Sequence, residues 1–476
     1  MYADVQNYIG GSFVPVADAK YLDVFNPADG NVIARVPLSR AQEVDRAVEA
    51  AKKAFPAWSE LPIKERVQVF FRYKTLLEKH IDELSRLVTE ENGKVDSEAR
   101  AEVLKSAELT EFACSLPQIT AGEVLEVSKG VECRIERFPV GIVASIAPFN
   151  FPNMVPNWTI PNAIALGNCM ILKPSEFVPL SAGRIAELLR EAGLPDGVLN
   201  IVHGGQETVE AICDHPDIDA ISFVGSTRVA KIVYRRGTAN LKRVLALGGA
   251  KNHLIVMPDA EPEMTSTNVV ASMAGCAGQR CMAASVMMAV GNTDHIIERM
   301  VNIVRNIAIG PVISKEAKQR IESYISEAEK QGATVLVDGR GKPGPGFWVG
   351  PTLIDHVTPE MRIAQEEVFG PVMVIIRSKS VDEALEVQRR SRYGNAASVF
   401  TESGGIARHV MEKASAGMVG VNVGVPVPRE PFSFGGWNES KFGVGDITGR
   451  GSLEFWTKSK KMTTKWNKEA GTNWMS

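Results

Sequence analysis

Cys281 closes the run Gly278-Gln279-Arg280-Cys281, and well upstream Asn150 stands in Pro148-Phe149-Asn150-Phe151-Pro152. A cysteine thiolate can add to a carbonyl carbon. An asparagine amide can donate a hydrogen bond to the oxyanion that the addition creates. The two residues supply the halves of a site for thiol-based oxidation of an aldehyde. Arg280, next to the cysteine, would favour ionisation of the thiol if its side chain turned inward. Cys276 reads as small core filler, with a redox or disulfide partner as the other reading.

Other chemistries find less support. Cys276 and Cys281 lack a second pair, and the seven histidines never form His-Glu-x-x-His, so no metal site is expected. Gly339-Arg340-Gly341-Lys342-Pro343-Gly344 is a Gly-x-Gly-x-x-Gly match, but Pro343 and Pro345 oppose the helix that a phosphate loop needs. It reads as a surface loop. Any dinucleotide is therefore bound without the common fingerprint.

The elements that must position these residues follow from patterning. Ser39-Arg40-Ala41-Gln42 reads as a capping box, and Val44, Val48, Ala51 and Phe55 follow at helical spacing, which predicts a helix to about Pro56. A second helical region covers 63–113, with a break near Asn92-Gly93. From Gly141 short apolar runs alternate with helices: 142–146, 169–172, 198–202, 220–224 and 243–247. Ser181 is expected to cap the helix that Gly193 closes. A second series follows, with runs at 254–257, 334–337, 372–376 and 418–422. The alternation of the first series implies a parallel α/β sheet with sites at the strand C-termini. The tail, Leu453 to Trp456 and Lys461 to Trp466, alternates like an exposed strand, and such an edge needs a partner.

A chain of 476 residues exceeds one hydrophobic core, so two or more domains are expected. A net charge of −3 gives no argument for a nucleic-acid partner or an anionic membrane. No stretch reaches the ~18 apolar residues of a membrane span. The first residues lack the basic start and apolar core of a signal peptide. Six cysteines are too few for a disulfide scaffold at this length, which fits a reducing cytoplasm.

Over nearly its whole length the chain resembles the aldehyde dehydrogenase superfamily. The residues that carry the resemblance are Pro148 to Pro152, Lys173-Pro174-Ser175-Glu176, Phe223-Val224-Gly225-Ser226, Gly278 to Cys281 and Glu367-Val368-Phe369-Gly370-Pro371, in the family's order. Phe432 to Trp437 fits the family's substrate-proximal loop. The resemblance implies Cys281 as nucleophile and Asn150 as oxyanion donor, aided by the Cys281 backbone N–H. It implies Lys173, Ser175 and Glu176 at the adenosine ribose of NAD, Gly225 and Ser226 at the pyrophosphate, and Glu367 and Phe369 at the nicotinamide ribose. Glu176 would accept bonds from a ribose diol and repel a 2′-phosphate, favouring NAD over NADP. Trp158 falls where the family often has a pocket aromatic; as an isolated tryptophan it reads rather as core.

One position departs from the common pattern. Most hydrolytic members carry a glutamate in Glu-Leu-Gly-Gly-Lys that activates the deacylating water; here the run is Ala246-Leu247-Gly248-Gly249-Ala250-Lys251-Asn252-His253. Losing a general base typically costs about 10²–10⁴-fold in the step it serves. A better nucleophile than water, the thiol of coenzyme A, would then take the acyl group. Gly249 to His253 together with Gly278 to Ala283 resembles the acylating methylmalonate-semialdehyde dehydrogenase branch. That branch holds the substrate carboxylate with two arginines. Arg280 matches one, and Lys105 stands at the other, keeping the charge but losing the bidentate fork. Arg429 beside Glu430 is a replacement cation or a solvated rim pair.

The resemblance thus implies an aldehyde dehydrogenase-like α/β fold. It comprises a doubly wound NAD-binding domain (1–121 and 139–250), an α/β catalytic domain (251–452) and a small β oligomerisation extension (122–138 and 453–476). The expected protein is a cytoplasmic homodimer or homotetramer acting on a small aldehyde with NAD and coenzyme A, with a hydrolytic enzyme for another anionic or polar aldehyde as the alternative.

Overall fold

The apolar runs after Gly141 become the centre of an eight-stranded sheet. In the computed structural model, which describes residues 1–466, its order is Ser12–Val14, Asn7–Ile9, Leu199–Ile201, Cys169–Lys173, Ile142–Ile146, Ala220–Val224, Arg243–Leu247 and Lys441–Phe442. The five strands from Leu199–Ile201 to Arg243–Leu247 are mutually parallel. Their side chains are almost all buried on both faces, which is why they read as continuous hydrophobic runs rather than alternating ones. The outer strands pair antiparallel.

A second, seven-stranded sheet runs Thr334–Val337, Thr352–Asp355, Val372–Ser378, Ala284–Val290, Asn252–Val256, Ala396–Phe400 and Met418–Val421. Only its Thr334–Val337 edge is antiparallel. A third sheet pairs Thr457–Lys465 with the hairpin Val131–Pro139 and Glu123–Ser128. Residues 467–476 of the expected extension lie outside the described residues. Leu453 to Trp456 are helical rather than extended: they end the Gly451–Trp456 helix, and Phe455 and Trp456 are buried. Arg243 fixes this turn, donating from Nη1 to the carbonyls of Glu454, Phe455 and Thr457. The exposed strand of the tail begins only at Thr457.

Two helix starts differ from the sequence expectation. Ser39 does not cap the first helix, Ala41–Glu60. Its hydroxyl accepts from Asn7 Nδ2 instead, and the Glu43 side chain accepts from the Arg40 N–H. That helix also runs through Pro56, because Trp58 is buried and donates from Nε1 to the Ile164 carbonyl at 2.9 Å, anchoring the last turn. Ser181 lies inside the Leu180–Glu191 helix rather than at its cap. The cap comes from another helix: the buried Glu91 carboxylate accepts from the N–H of Leu180 at 2.7 Å, the N–H of Ser181 at 3.0 Å and the Ser181 hydroxyl. A remote carboxylate leaves no local signature, which is why the sequence pointed to Ser181. Burial pushes the Glu91 carboxyl up to about 7. Glu91→Ala strands buried donors, a cost of about 1–3 kcal/mol, and the first unfolding transition in urea is expected to move to lower concentration accordingly.

Candidate active site

The strand order of the first sheet creates a crevice. From Ile142–Ile146 the chain winds outward through Cys169–Lys173 to Leu199–Ile201, then returns to the other side with Ala220–Val224 and Arg243–Leu247. Ligands bind at the strand C-termini of such a switch point. Asn150 follows Ile146, Lys173 ends its strand, Gly225 and Ser226 follow Val224, and Gly248 follows Leu247. Four segments singled out by sequence therefore share one sheet edge. Gly225 N–H donates to the Leu247 carbonyl at 3.1 Å and Gly249 N–H to Thr227 Oγ1 at 2.8 Å, which ties two of them together.

Along this edge Lys173 Nζ pairs with Glu176 Oε2 at 2.9 Å, and Ser175 Oγ accepts from the Phe177 N–H. Ser226 stands at the start of the Thr227–Ala239 helix, and its own side chain makes no capping bond. Phe149 meets Phe177 edge-on at 5.9 Å and Phe369 at 5.7 Å. These rings join the Lys173–Glu176 segment, the Asn150 loop and the Glu367 segment. Glu367 Oε1 accepts from the Ala250 N–H at 2.8 Å. A Cβ on Gly249 would lie 2.3 Å from Glu367 Oε2, so a larger residue there would push the Glu367 carboxylate aside. Carboxylates at both ends and a helix start between them suit the two ribose diols and the pyrophosphate of a dinucleotide.

Cys281 is presented by an unusual loop. The Pro262–Ala274 helix stops at Gly275, and Cys276, Ala277 and Gly278 follow with φ of 53°, 51° and 67°. Left-handed backbone is costly for the two residues that carry a Cβ. The loop is held by the Cys276 N–H donating to Glu98 Oε1 at 2.7 Å. A Cβ on Gly278 would come within 2.1 Å of the Gly370 carbonyl, which explains the glycine. Asn150 Nδ2 donates to the Gln279 carbonyl at 3.0 Å, so the two residues first linked by chemistry are linked by a hydrogen bond through the nucleophile loop. The Cys281 carbonyl accepts from Asn252 Nδ2 at 2.8 Å and Asn395 Nδ2 at 2.9 Å.

The thiol environment opposes ionisation. Burial, reinforced by the Glu367 carboxylate, pushes the Cys281 thiol up to about 12, against the field of Arg280. Arg280 does not turn fully toward the cysteine: its Nη2 donates to the carbonyls of Ala271 at 2.8 Å and Ser272 at 3.0 Å. Burial likewise raises Glu367 to about 7 and lowers Lys251 to about 7. Cys276 is a buried free thiol. Ala246 is wholly buried, and its methyl side chain offers no proton acceptor.

Sequence reasoning missed the support beneath the Asn150 loop. Lys94 and Glu102 form an ion pair at 2.9 Å, with 1% and 0% of their side chains exposed. Lys94 Nζ donates to the Asn150 carbonyl and to Asn92 Oδ1, and it lies 4.2 Å from the Phe151 ring centroid. Asn92 Nδ2 donates to the Phe149 carbonyl at 2.8 Å. Glu102 Oε1 accepts from the N–H groups of Asn153 and Met154, starting the helix that carries Trp158. Asn252 and Asn395 were missed for the same reason: their contacts cross from one strand to a distant loop. Only the helix break at Asn92-Gly93 hinted at the first group.

Trp158 is buried and packs on Phe434 with ring centroids 4.7 Å apart, joining the Met154–Ala165 helix to the loop of Phe432 to Trp437. Cys281, Phe151, Met154 and Val425 pack against the same apolar cluster. Lys105 does not stand free: its Nζ pairs with Glu430 Oε2 at 2.7 Å and Glu108 Oε2 at 3.1 Å. Arg429 is exposed, and its guanidinium has no bonded partner among the described residues.

A doubly wound sheet whose edge meets a cysteine loop from a second sheet defines a thiol-dependent dehydrogenase class. The chain belongs to the aldehyde dehydrogenase family, whose model matches residues 13–462. It is 46% identical over 477 residues to malonate-semialdehyde dehydrogenase 1 of Geobacillus thermodenitrificans (strain NG80-2), across 97% of this chain and 99% of the relative. The methylmalonate-semialdehyde dehydrogenase structure from Oceanimonas doudoroffii superposes with a TM-score of 0.96 at 42% identity, covering 98% of this chain and 99% of that one. A Sinorhizobium meliloti 1021 structure, carrying the name of a methylmalonate-semialdehyde dehydrogenase and complexed with NAD, gives 0.97 at 40% identity, covering 99% of each chain.

Because the Cys281 thiol is raised to about 12 in the free protein, its thiolate fraction grows by about tenfold per pH unit through the neutral range. Alkylation of Cys281 by iodoacetamide, followed by peptide mass spectrometry, is expected to accelerate with that slope between pH 7 and pH 9. A plateau within that range would contradict the environment described.

Proposed function

We propose that this chain is an NAD-dependent, coenzyme-A-acylating dehydrogenase of malonate or methylmalonate semialdehyde, releasing acetyl-CoA or propionyl-CoA with loss of carbon dioxide. The observation that carries the reading is the Cys281 loop, whose Gln279 carbonyl accepts from Asn150 Nδ2, with only a buried alanine where a hydrolytic base would stand. The names of the relatives supply the substrate class.

The residues divide the work. Cys281 Sγ loses its proton and forms a bond to the aldehyde carbon. The Asn150 amide and the Cys281 N–H hold the oxygen that becomes negative. Lys173, Ser175 and Glu176 would grip the adenosine ribose, Gly225 and Ser226 the pyrophosphate, and Glu367 and Phe369 the nicotinamide ribose. NAD supplies the hydride acceptor when bound. Loss of hydride from the substrate carbon leaves a thioester on Cys281. A β-carboxylate on that acyl group departs as carbon dioxide, and a proton takes its place. The thiol of coenzyme A then attacks the thioester carbon and releases Cys281. Arg280, Lys105 and Arg429 are the cations available to a substrate carboxylate, and Trp158 supports the apolar wall.

The same reading assigns 1–121 and 139–250 to NAD binding and 251–452 to catalysis. It makes 122–138 and 453–476 an oligomerisation extension, with the protein in the cytoplasm as a homodimer or homotetramer. The Glu123–Ser128 strand supports the last point, since Val124, Leu125 and Val127 are exposed on an edge. No described helix is long and apolar enough to cross a membrane.

The test is NADH formation with malonate, methylmalonate and succinate semialdehydes, each with and without coenzyme A, with the acyl product identified. Strong dependence on coenzyme A, with acetyl- or propionyl-CoA formed, is expected. Free acid formed at the same rate without coenzyme A would overturn the acylating reading and favour the hydrolytic one. Cys281→Ala is expected to abolish turnover while NAD binding, followed by fluorescence, persists. Asn150→Ala is expected to lower kcat about 10²–10³-fold.

A further inference from the structure

Lys105 and Glu430 lie far apart in the chain, yet Nζ and Oε2 meet at 2.7 Å. Their side chains are only 21% and 12% exposed. Three contacts tie the elements that carry the pair to Trp158 and to the Cys281 loop. Lys105 is on the Asp96–Cys114 helix, one turn beyond Glu102, which starts the helix carrying Trp158. Glu430 lies on the loop whose Phe434 stacks on Trp158. The other end of that loop is pinned where the Gly424 carbonyl accepts from Ser272 Oγ at 2.7 Å, and Ser272 O also accepts from Arg280. The loop therefore spans from Arg280, next to the nucleophile, to Trp158, and Glu430 fastens it to Lys105. No other hydrogen bond or ion pair of the Glu430 carboxylate occurs among the described residues. Glu108, the second anion on Lys105, is more than half exposed and correspondingly screened.

We infer that Glu430 is a built-in competitor for Lys105, so that a substrate carboxylate must displace the Glu430 carboxylate to gain that cation. A carboxylate already occupying the ammonium lowers its attraction for a second one. A neutral aldehyde of the same length has nothing to displace and is unaffected by this contact. The pair thus acts as a charge filter that narrows the preference of the site for semialdehydes over neutral aldehydes. This deepens the proposed function and rests on it for the substrate, although the filter itself acts on any small anion approaching Cys281.

The experiment therefore uses two readouts on the full chain. The first is the ratio of kcat/KM for malonate semialdehyde to that for propanal, which matches it in length without the carboxylate. The second needs no turnover: the ratio of Cys281 alkylation rates by iodoacetate and by iodoacetamide, an anionic and a neutral reagent. In Glu430→Gln both ratios are expected to rise about tenfold, equivalent to about 1.4 kcal/mol, with the kinetic change carried by KM. In Lys105→Met the further change Glu430→Gln is expected to give no rise, because the contested cation is gone. Glu430→Ala serves as a second variant, with thermal melting confirming that each protein folds. Ratios unmoved in Glu430→Gln would overturn the inference, as would a rise that persists in the Lys105→Met background, which marks simple repulsion. If neither aldehyde yields NADH, the proposed function fails while the alkylation ratio still decides the role of Glu430.

Discussion

Lys94 is a buried ammonium that bonds Asn92, the Asn150 carbonyl and Glu102 in one place. An uncompensated charge there would cost several kcal/mol, so every partner must be in position before the loop can close. Through Asn92 the same network reaches the Phe149 carbonyl, and through Glu102 it starts the helix that carries Trp158. Adjacent on the same helix, Glu98 holds the left-handed Cys276 loop. The Asn150 loop, the helix that carries Trp158 and the loop that leads to Cys281 therefore share one foundation in the Asp96–Cys114 helix and the turn before it.

That foundation sits where two sheets meet in opposite senses. The first sheet offers its strand C-termini, where parallel strands leave N–H-rich turns and helix starts. The second offers segments that precede its strands: Lys251 before Asn252–Val256, Cys281 before Ala284–Val290, and Glu367 before Val372–Ser378. Cross-links between the edges are short and polar, from Asn150 to Gln279 and from Ala250 to Glu367, and they bring Asn150 and Glu367 close to the Cys281 loop. Burial at this junction explains why Cys281 is raised, Glu367 is raised and Lys251 is lowered together.

The charged rim follows a different logic. Arg280 is committed to helix-terminal carbonyls, Lys105 to Glu430, and Arg429 to solvent. Cations counted in the sequence are thus unequal in the fold, and the partner of each decides what it can offer a substrate.

Apolar runs located Ala220–Val224 and Arg243–Leu247 to the residue, because buried parallel strands carry their signal in consecutive side chains. The motifs around Asn150, Cys281 and Glu367 were legible as local strings whose residue types announce their chemistry. What the sequence left open was every relation between residues distant in the chain. Glu91 replacing Ser181 as a cap, Lys94 under Asn150, Asn252 and Asn395 on the Cys281 carbonyl, and Glu430 on Lys105 are all of that kind. The sequence by itself determined the elements and the reacting groups, since both depend on neighbouring side chains and intrinsic chemistry. Only the tertiary structure decided which buried charge meets which partner, because desolvation and hydrogen bonding act through space and leave no period in the chain.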